Sequence, residues 1–226
     1  MLTFFVALAL AWAVLAKFDF FYGVWHDYGG LKEGIESYGP KNRFKPGFAE
    51  TTRQQRVDIF HEINVAVHRS GQGLEEITYL TPTSQGQQKL LREPEVVHLN
   101  DVAKLLDLMI VVVGGVLIAW SGATVYFYKT QGRLPKIKHQ LVGLGALLLF
   151  LFLVLVMFGA ENIFNTLHIW VFPKDHQWFF YYQESLMSTM MLAPLLFAWI
   201  GAAWLVLSIA IYILIYYLME KGAQLI

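Results

Sequence analysis

The sequence predicts an all-α membrane protein: four transmembrane helices with a small, mainly helical extracytoplasmic cap between spans 1 and 2. Three observations lead there. Of 226 residues, 56% are hydrophobic and only 15% charged, outside the range of ordinary soluble domains. Leu108 to Tyr128, Gln140 to Ala160 and Ser185 to Met219 hold no charged residue, and each reaches the roughly 20 residues that a bilayer core requires. Formal charge is zero and no basic block exists, so the footprint of a nucleic-acid binder is missing. Without cysteine, disulfides, thiolate zinc sites and thiol redox chemistry are excluded.

The first span is expected over 1–22. Met1 to Ala16 is free of charge; Ala11, Trp12 and Ala13 have the form of a signal-peptide cleavage site, but no basic residue precedes the apolar run. Lys17, Asp19 and the aromatic group Phe18, Phe20, Phe21 and Tyr22 suit an interfacial anchor instead, so a retained helix is expected. Residues 23–102 form the expected cap. Gly23 to Gly47, rich in Gly, Tyr and Pro, reads as irregular. Thr51 and Thr52 followed by Gln54 and Gln55 resemble a capping box, and Val57, Phe60, Ile63 and Val67 recur at helical spacing up to Ser70 and Gly71. Leu74 to Leu80 suits a short strand, and Thr81 to Gly86 a turn.

Span two is expected over 103–128 and span three over 140–160, joined by the loop 129–139. That loop carries Lys129, Arg133, Lys136 and Lys138 without an acid, which the positive-inside rule assigns to the cytoplasm. Both termini then face the cytoplasm, and the cap and the aromatic loop 161–188 face outward. Gly143 and Gly145 suggest close helix packing. Span four, 189–218, contains Pro194, expected to kink it or to end an interfacial piece.

On this topology the polar groups gather at the outer rim. His98, Asn100 and Asp101 precede span two, and Glu161, Asn162 and His168 follow span three. In a helix His98 and Asp101 are three apart and can meet on one face. A carboxylate there fixes the imidazole tautomer and supports its protonated form; capping of the helix is the alternative use of Asp101. Trp170, Phe172, Trp178, Phe179 and Phe180 fit an aromatic belt, and His176, beside Lys174 and Asp175, reads as exposed. The HEINV run at His61 lacks a zincin's second histidine, and no GxSxG, P-loop or Rossmann motif occurs.

HLNDV at His98 to Val102 resembles the His-Met/Leu-x-Asp-Val element of the Lit family of bacterial membrane proteins, the lipoprotein intramolecular transacylases. FNTLHIWVFP at Phe164 to Pro173, with Trp178 and Phe180 beyond it, resembles that family's second element. The RQQRVDIFHEI run at Arg53 and the four-span layout agree. Two departures stand out, Val171 in place of Phe and a spacing about one residue longer before Trp178. The resemblance implies an enzyme that moves the sn-2 acyl chain of a diacylglyceryl-modified N-terminal cysteine onto its α-amino group, giving a lyso-form lipoprotein. Diacylated bacterial lipoproteins and membrane lipids would be its partners, with no cofactor or metal and with His98, His168 and Asp101 as catalytic residues. Two other classes remain open on the residues alone: a b-type haem or quinone protein with His98 and His168 as ligands, and a zinc hydrolase using both histidines and Asp101.

Overall fold

The computed structural model describes residues 1–82, 86–131 and 136–223. Its helices are α1 (Leu2–Lys17), α2 (Tyr22–Tyr28), α3 (Leu31–Tyr38), α4 (Arg53–Val67), α5 (Glu93–Gln131), α6 (Ile137–Phe158), α7 (Ala160–Val171), α8 (Leu186–Met191) and α9 (Leu195–Ala223). Strands β1 (Thr78–Tyr79) and β2 (Gln88–Lys89) pair antiparallel, with Thr78 opposite Lys89. Two compact units divide the chain. The first comprises Met1–Trp12, Ile110–Pro173 and Leu205–Ile226, the second Ala13–Met109 and Lys174–Trp204.

In the first unit the helices turn most of their apolar side chains outward: Ile118 is 78% exposed and Phe150 61%. Such a surface is intolerable in water and natural in lipid. Among the described residues three helices are long and apolar enough to cross a membrane, within Glu93–Gln131, Ile137–Phe158 and Leu195–Lys221. Leu2–Lys17 reaches that length only together with Asp19–Tyr28, to which it is bent by 79°. Inside the unit Phe4, Ala7, Leu144 and Tyr212 form a buried cluster. Lipid supplies no hydrophobic drive for helix pairing, so polar links gain weight. The Trp120 indole N–H donates to Thr3 Oγ1 at 3.0 Å, the Tyr212 hydroxyl to Gln140 Oε1 at 3.1 Å, and the Tyr128 hydroxyl to the Met219 carbonyl at 2.6 Å. Gly143 and Gly145 do not mark close packing, because a Cβ on either would meet nothing within 4 Å.

The second unit begins at the end of α1, where Asp19, Phe20 and Phe21 all adopt left-handed backbone, φ 50°, 50° and 59°. Each such residue costs about 1–2 kcal/mol, so side chains must hold the bend. Asn64 on α4 donates from Nδ2 to the Ala16 carbonyl and to Asp19 Oδ1, both at 2.8 Å. His61, one turn earlier, places Nδ1 2.9 Å from the same carboxylate oxygen. Trp25 donates to the Phe20 carbonyl at 2.7 Å, and the Tyr22 ring stacks on Phe60 with centroids 4.2 Å apart.

α4 itself carries the expected capping box, Thr52 with Gln55. It stops at Val67, three residues early, because Ser70 and Gly71 turn left-handed. The irregular reading of Gly23 to Gly47 is corrected: α2 and α3 occupy most of it, separated by Gly30 at φ 86°. Leu31 and Ile35 are wholly buried one turn apart, a pairing diluted in the sequence by the surrounding Gly and Tyr. Gly34 admits Leu192, whose Cδ1 would lie 2.7 Å from a Cβ there. The strand expected over Leu74 to Leu80 shortens to β1 after a 3-10 turn at Leu74–Glu76. The Thr81–Gly86 turn and the 129–139 loop lie partly outside the described residues. Pro194 separates α8 from α9, as its position suggested.

Asn64→Ala removes two of the bonds that hold the bend, one of them to a carboxylate, and is expected to cost about 2–4 kcal/mol; a thermal melt of the purified protein checks this. Asp27 is held down to about 2 by hydrogen bonds from Arg53 and His26. A depressed carboxyl stabilises the fold above its ordinary range near about 4 and loses that effect as pH falls toward its folded value. Acid titration of the melt should therefore show a loss between about pH 4 and 2 that is smaller in Asp27→Asn.

Candidate active site

Glu93, Pro94 and Glu95 begin α5, a composition that suits the positive end of a helix and its first, donor-free positions. Glu95, His98 and Asp101 then follow at intervals of three and are 0%, 8% and 7% exposed. Buried polar groups on a helix need partners from elsewhere. The two carboxylates receive them from the stretch between α7 and α8, residues 174–185, which has no regular secondary structure. Ser185 meets Glu95, Phe180 meets His98, and His176 meets Asp101. The order is reversed, so this segment runs antiparallel to the start of α5.

Glu95 closes one end. Its Oε1 accepts from Ser185 Oγ at 2.5 Å and from the Met187 N–H at 3.4 Å, while Oε2 accepts from the Arg92 N–H at 2.7 Å. The Lys45 ammonium nearby donates to the carbonyls of Lys89 and Leu90. Burial pushes Lys45 down, and the charge of Glu95 works against that.

Asp101 closes the other end, seven residues before the charge-free stretch that starts at Leu108. Its Oδ2 lies 2.5 Å from His176 Nδ1, and Oδ1 accepts from Lys104 Nζ at 3.1 Å. Burial alone would raise this carboxyl. The hydrogen bonds and charges of His176 and Lys104 outweigh it and hold Asp101 below the usual range. Two expectations change here. Asp101 lies well inside α5 and is not a cap, and the imidazole it grips is that of His176, which the sequence had marked as exposed. No local signal could have found that pair, since 75 residues separate its members.

The His98 ring stands 6.0 Å from Phe180, tilted by 53°. His168 belongs to the first unit, in the last turn of α7. Its Nδ1 donates to the Phe164 carbonyl at 2.7 Å, and its ring lies against Phe164 at 3.9 Å and Phe172 at 5.2 Å. Among the described residues no three His, Asp or Glu side chains group as metal ligands.

Membrane-length apolar helices, together with an acid–imidazole stripe at the start of one of them, define an integral membrane protein with the makings of proton-transfer chemistry. The family model for the lipoprotein intramolecular transacylase Lit matches residues 74–194, more than half of the chain, and the protein belongs to that family. No curated protein and no solved structure matches it. The matched stretch contains His98, Asp101, His168 and His176.

Glu95→Ala would leave Ser185 Oγ and the Arg92 backbone N–H without their acceptor and the Arg92 side chain without its ion-pair partner at 3.4 Å, and should destabilise the protein by about 3–5 kcal/mol. Ser185→Ala, which removes one bond to a carboxylate, should cost about 1.5–3 kcal/mol. Melting curves of the two variants side by side test the ranking.

Proposed function

We propose that the protein moves the sn-2 acyl chain of a diacylglyceryl-modified lipoprotein cysteine onto that cysteine's α-amino group, leaving a lyso-form lipoprotein. The observation that carries this reading is the family match over residues 74–194, which includes both histidine elements. Four spans in the bacterial cytoplasmic membrane, both termini in the cytoplasm and the reacting groups at the outer rim make up the proposed layout. The cap would be residues 23–102, and the aromatic stretch 161–188 would lie on the same side. The remaining span of the proposed layout is 1–22, which holds α1 and ends within the bend of 79° toward Asp19–Tyr28.

The chemistry asks little of a nucleophile. An α-amine, with a reference pKa near about 8, is already partly neutral at physiological pH. Attack on the ester carbonyl then needs orientation and a proton acceptor, and an imidazole supplies the latter. His98 and His168 are the proposed pair, one accepting the amine proton and the other donating to the oxyanion or the departing glyceryl oxygen. Asp101 is the carboxylate that keeps the polar stripe in register. Both reacting groups sit on one substrate, so holding them in an attack geometry can recover about 7–11 kcal/mol of barrier.

Mass spectrometry of a reporter lipoprotein's N-terminal peptide, with and without the protein, tests the reading. Lyso product should depend on the protein; an unchanged O-diacyl form would overturn transacylation. His98→Ala and His168→Ala should each lower conversion by about 10²- to 10⁴-fold, and Asp101→Asn should mainly slow it.

A further inference from the structure

His176 has a well-defined acidic partner in the stripe and no role in the reaction as drawn above. Its Nδ1 lies 2.5 Å from Asp101 Oδ2, and the other carboxylate oxygen accepts from Lys104 at 3.1 Å. Asp101, held below the usual carboxyl range, is ionised wherever a histidine titrates, so the shared proton sits on His176 Nδ1. That leaves the lone pair on Nε2. The His176 side chain is 32% exposed against 7% for Asp101, so the carboxylate is sheltered while the imidazole it supports can be reached.

His98, one turn before Asp101, is buried with its ring against Phe180. An imidazolium needs a countercharge, and Asp101 gives it to His176. The other charged groups close to the pair are Lys104, bound to Asp101, and His176's chain neighbours Lys174 and Asp175.

We infer that His176, held by Asp101, is a third catalytic histidine, whose Nε2 takes the proton from the substrate's α-ammonium. The inference rests on the transacylation reading, moves the acceptance of the amine proton to His176, and leaves His98 and His168 to serve the carbonyl or the leaving oxygen. An ammonium proton passes to Nε2, and the freed nitrogen lone pair forms the C–N bond at the ester carbonyl. The C–O bond to the glyceryl carbon chain's oxygen breaks as the intermediate collapses. The nitrogen gives up two protons in all: one reaches the glyceryl oxygen through the imidazolium and the other goes to solvent. Ester and ammonium become amide, alcohol and one proton, with no change of oxidation state.

A purely structural latch between His176 and Asp101 is the rival, and His176→Asn separates the two. The asparagine amide can donate to Asp101 from nearly the position of Nδ1, but it has no lone pair where Nε2 stood. Full-length protein in lipid nanodiscs is given a synthetic diacylglyceryl lipopeptide, and conversion is followed by mass spectrometry against pH alongside a thermal melt. The expected result is a wild-type melt, conversion about 10²- to 10⁴-fold slower, and loss of the acid-side limb of the pH profile. Added imidazole should restore part of the activity of His176→Ala. Wild-type rate and pH profile in His176→Asn would overturn the inference and leave transacylation standing, because the unaltered protein still makes product. No product from the unaltered protein would overturn transacylation and this inference with it. Should His176→Asn melt early, the imidazole experiment decides, and no rescue counts against a catalytic role.

Discussion

The second unit depends on satisfying two buried carboxylates on one helix face. Glu95 and Asp101 cannot be left facing apolar surroundings, since an unmatched buried carboxylate costs several kcal/mol. A segment without helix or strand of its own runs past them in reverse order, with Ser185 bonding Glu95, the Phe180 ring against His98 between them, and His176 bonding Asp101. Those three contacts fix the register of a stretch that backbone hydrogen bonding would leave loose. The same contacts bring an imidazole to Asp101, so the demand that stabilises the segment also assembles the acid–base pair.

A second constraint operates at the end of α1. Three consecutive left-handed residues without glycine are costly, and they persist because α4 presents Asn64 and His61 to Asp19 and Phe60 to Tyr22. The sharp turn lets one hydrophobic helix stop and a helix of different character begin within a few residues. In lipid such a bend is tolerated where the freed backbone groups find partners, and the bonds from Asn64 to the Ala16 carbonyl and from Trp25 to the Phe20 carbonyl provide them.

These features are compatible with the intramolecular acyl transfer proposed above. The reaction needs no covalent intermediate on the protein and no strong nucleophile from it; it needs groups that accept and return a proton and walls that exclude water. The histidines have different surroundings, one in contact with a carboxylate, one buried against an aromatic ring and one donating to a helix carbonyl. Aromatic side chains around them add rigid, partly polar surface at low entropic cost.

Much of this was readable in the sequence, for physical reasons that are local. Charge-free runs long enough for a bilayer reveal α5, α6 and α9, because span length is set by the solvent. The Thr52–Gln55 capping box and the break at Pro194 follow from groups within four residues of each other. HLNDV and FNTLHIWVFP carried the family. The helices α2 and α3 escaped notice because their buried positions, such as Leu31 and Ile35, are few and set among Gly and Tyr. Asp101's partner was decided by tertiary structure alone: at a separation of 75 residues, only the path of the chain selects which imidazole a carboxylate meets.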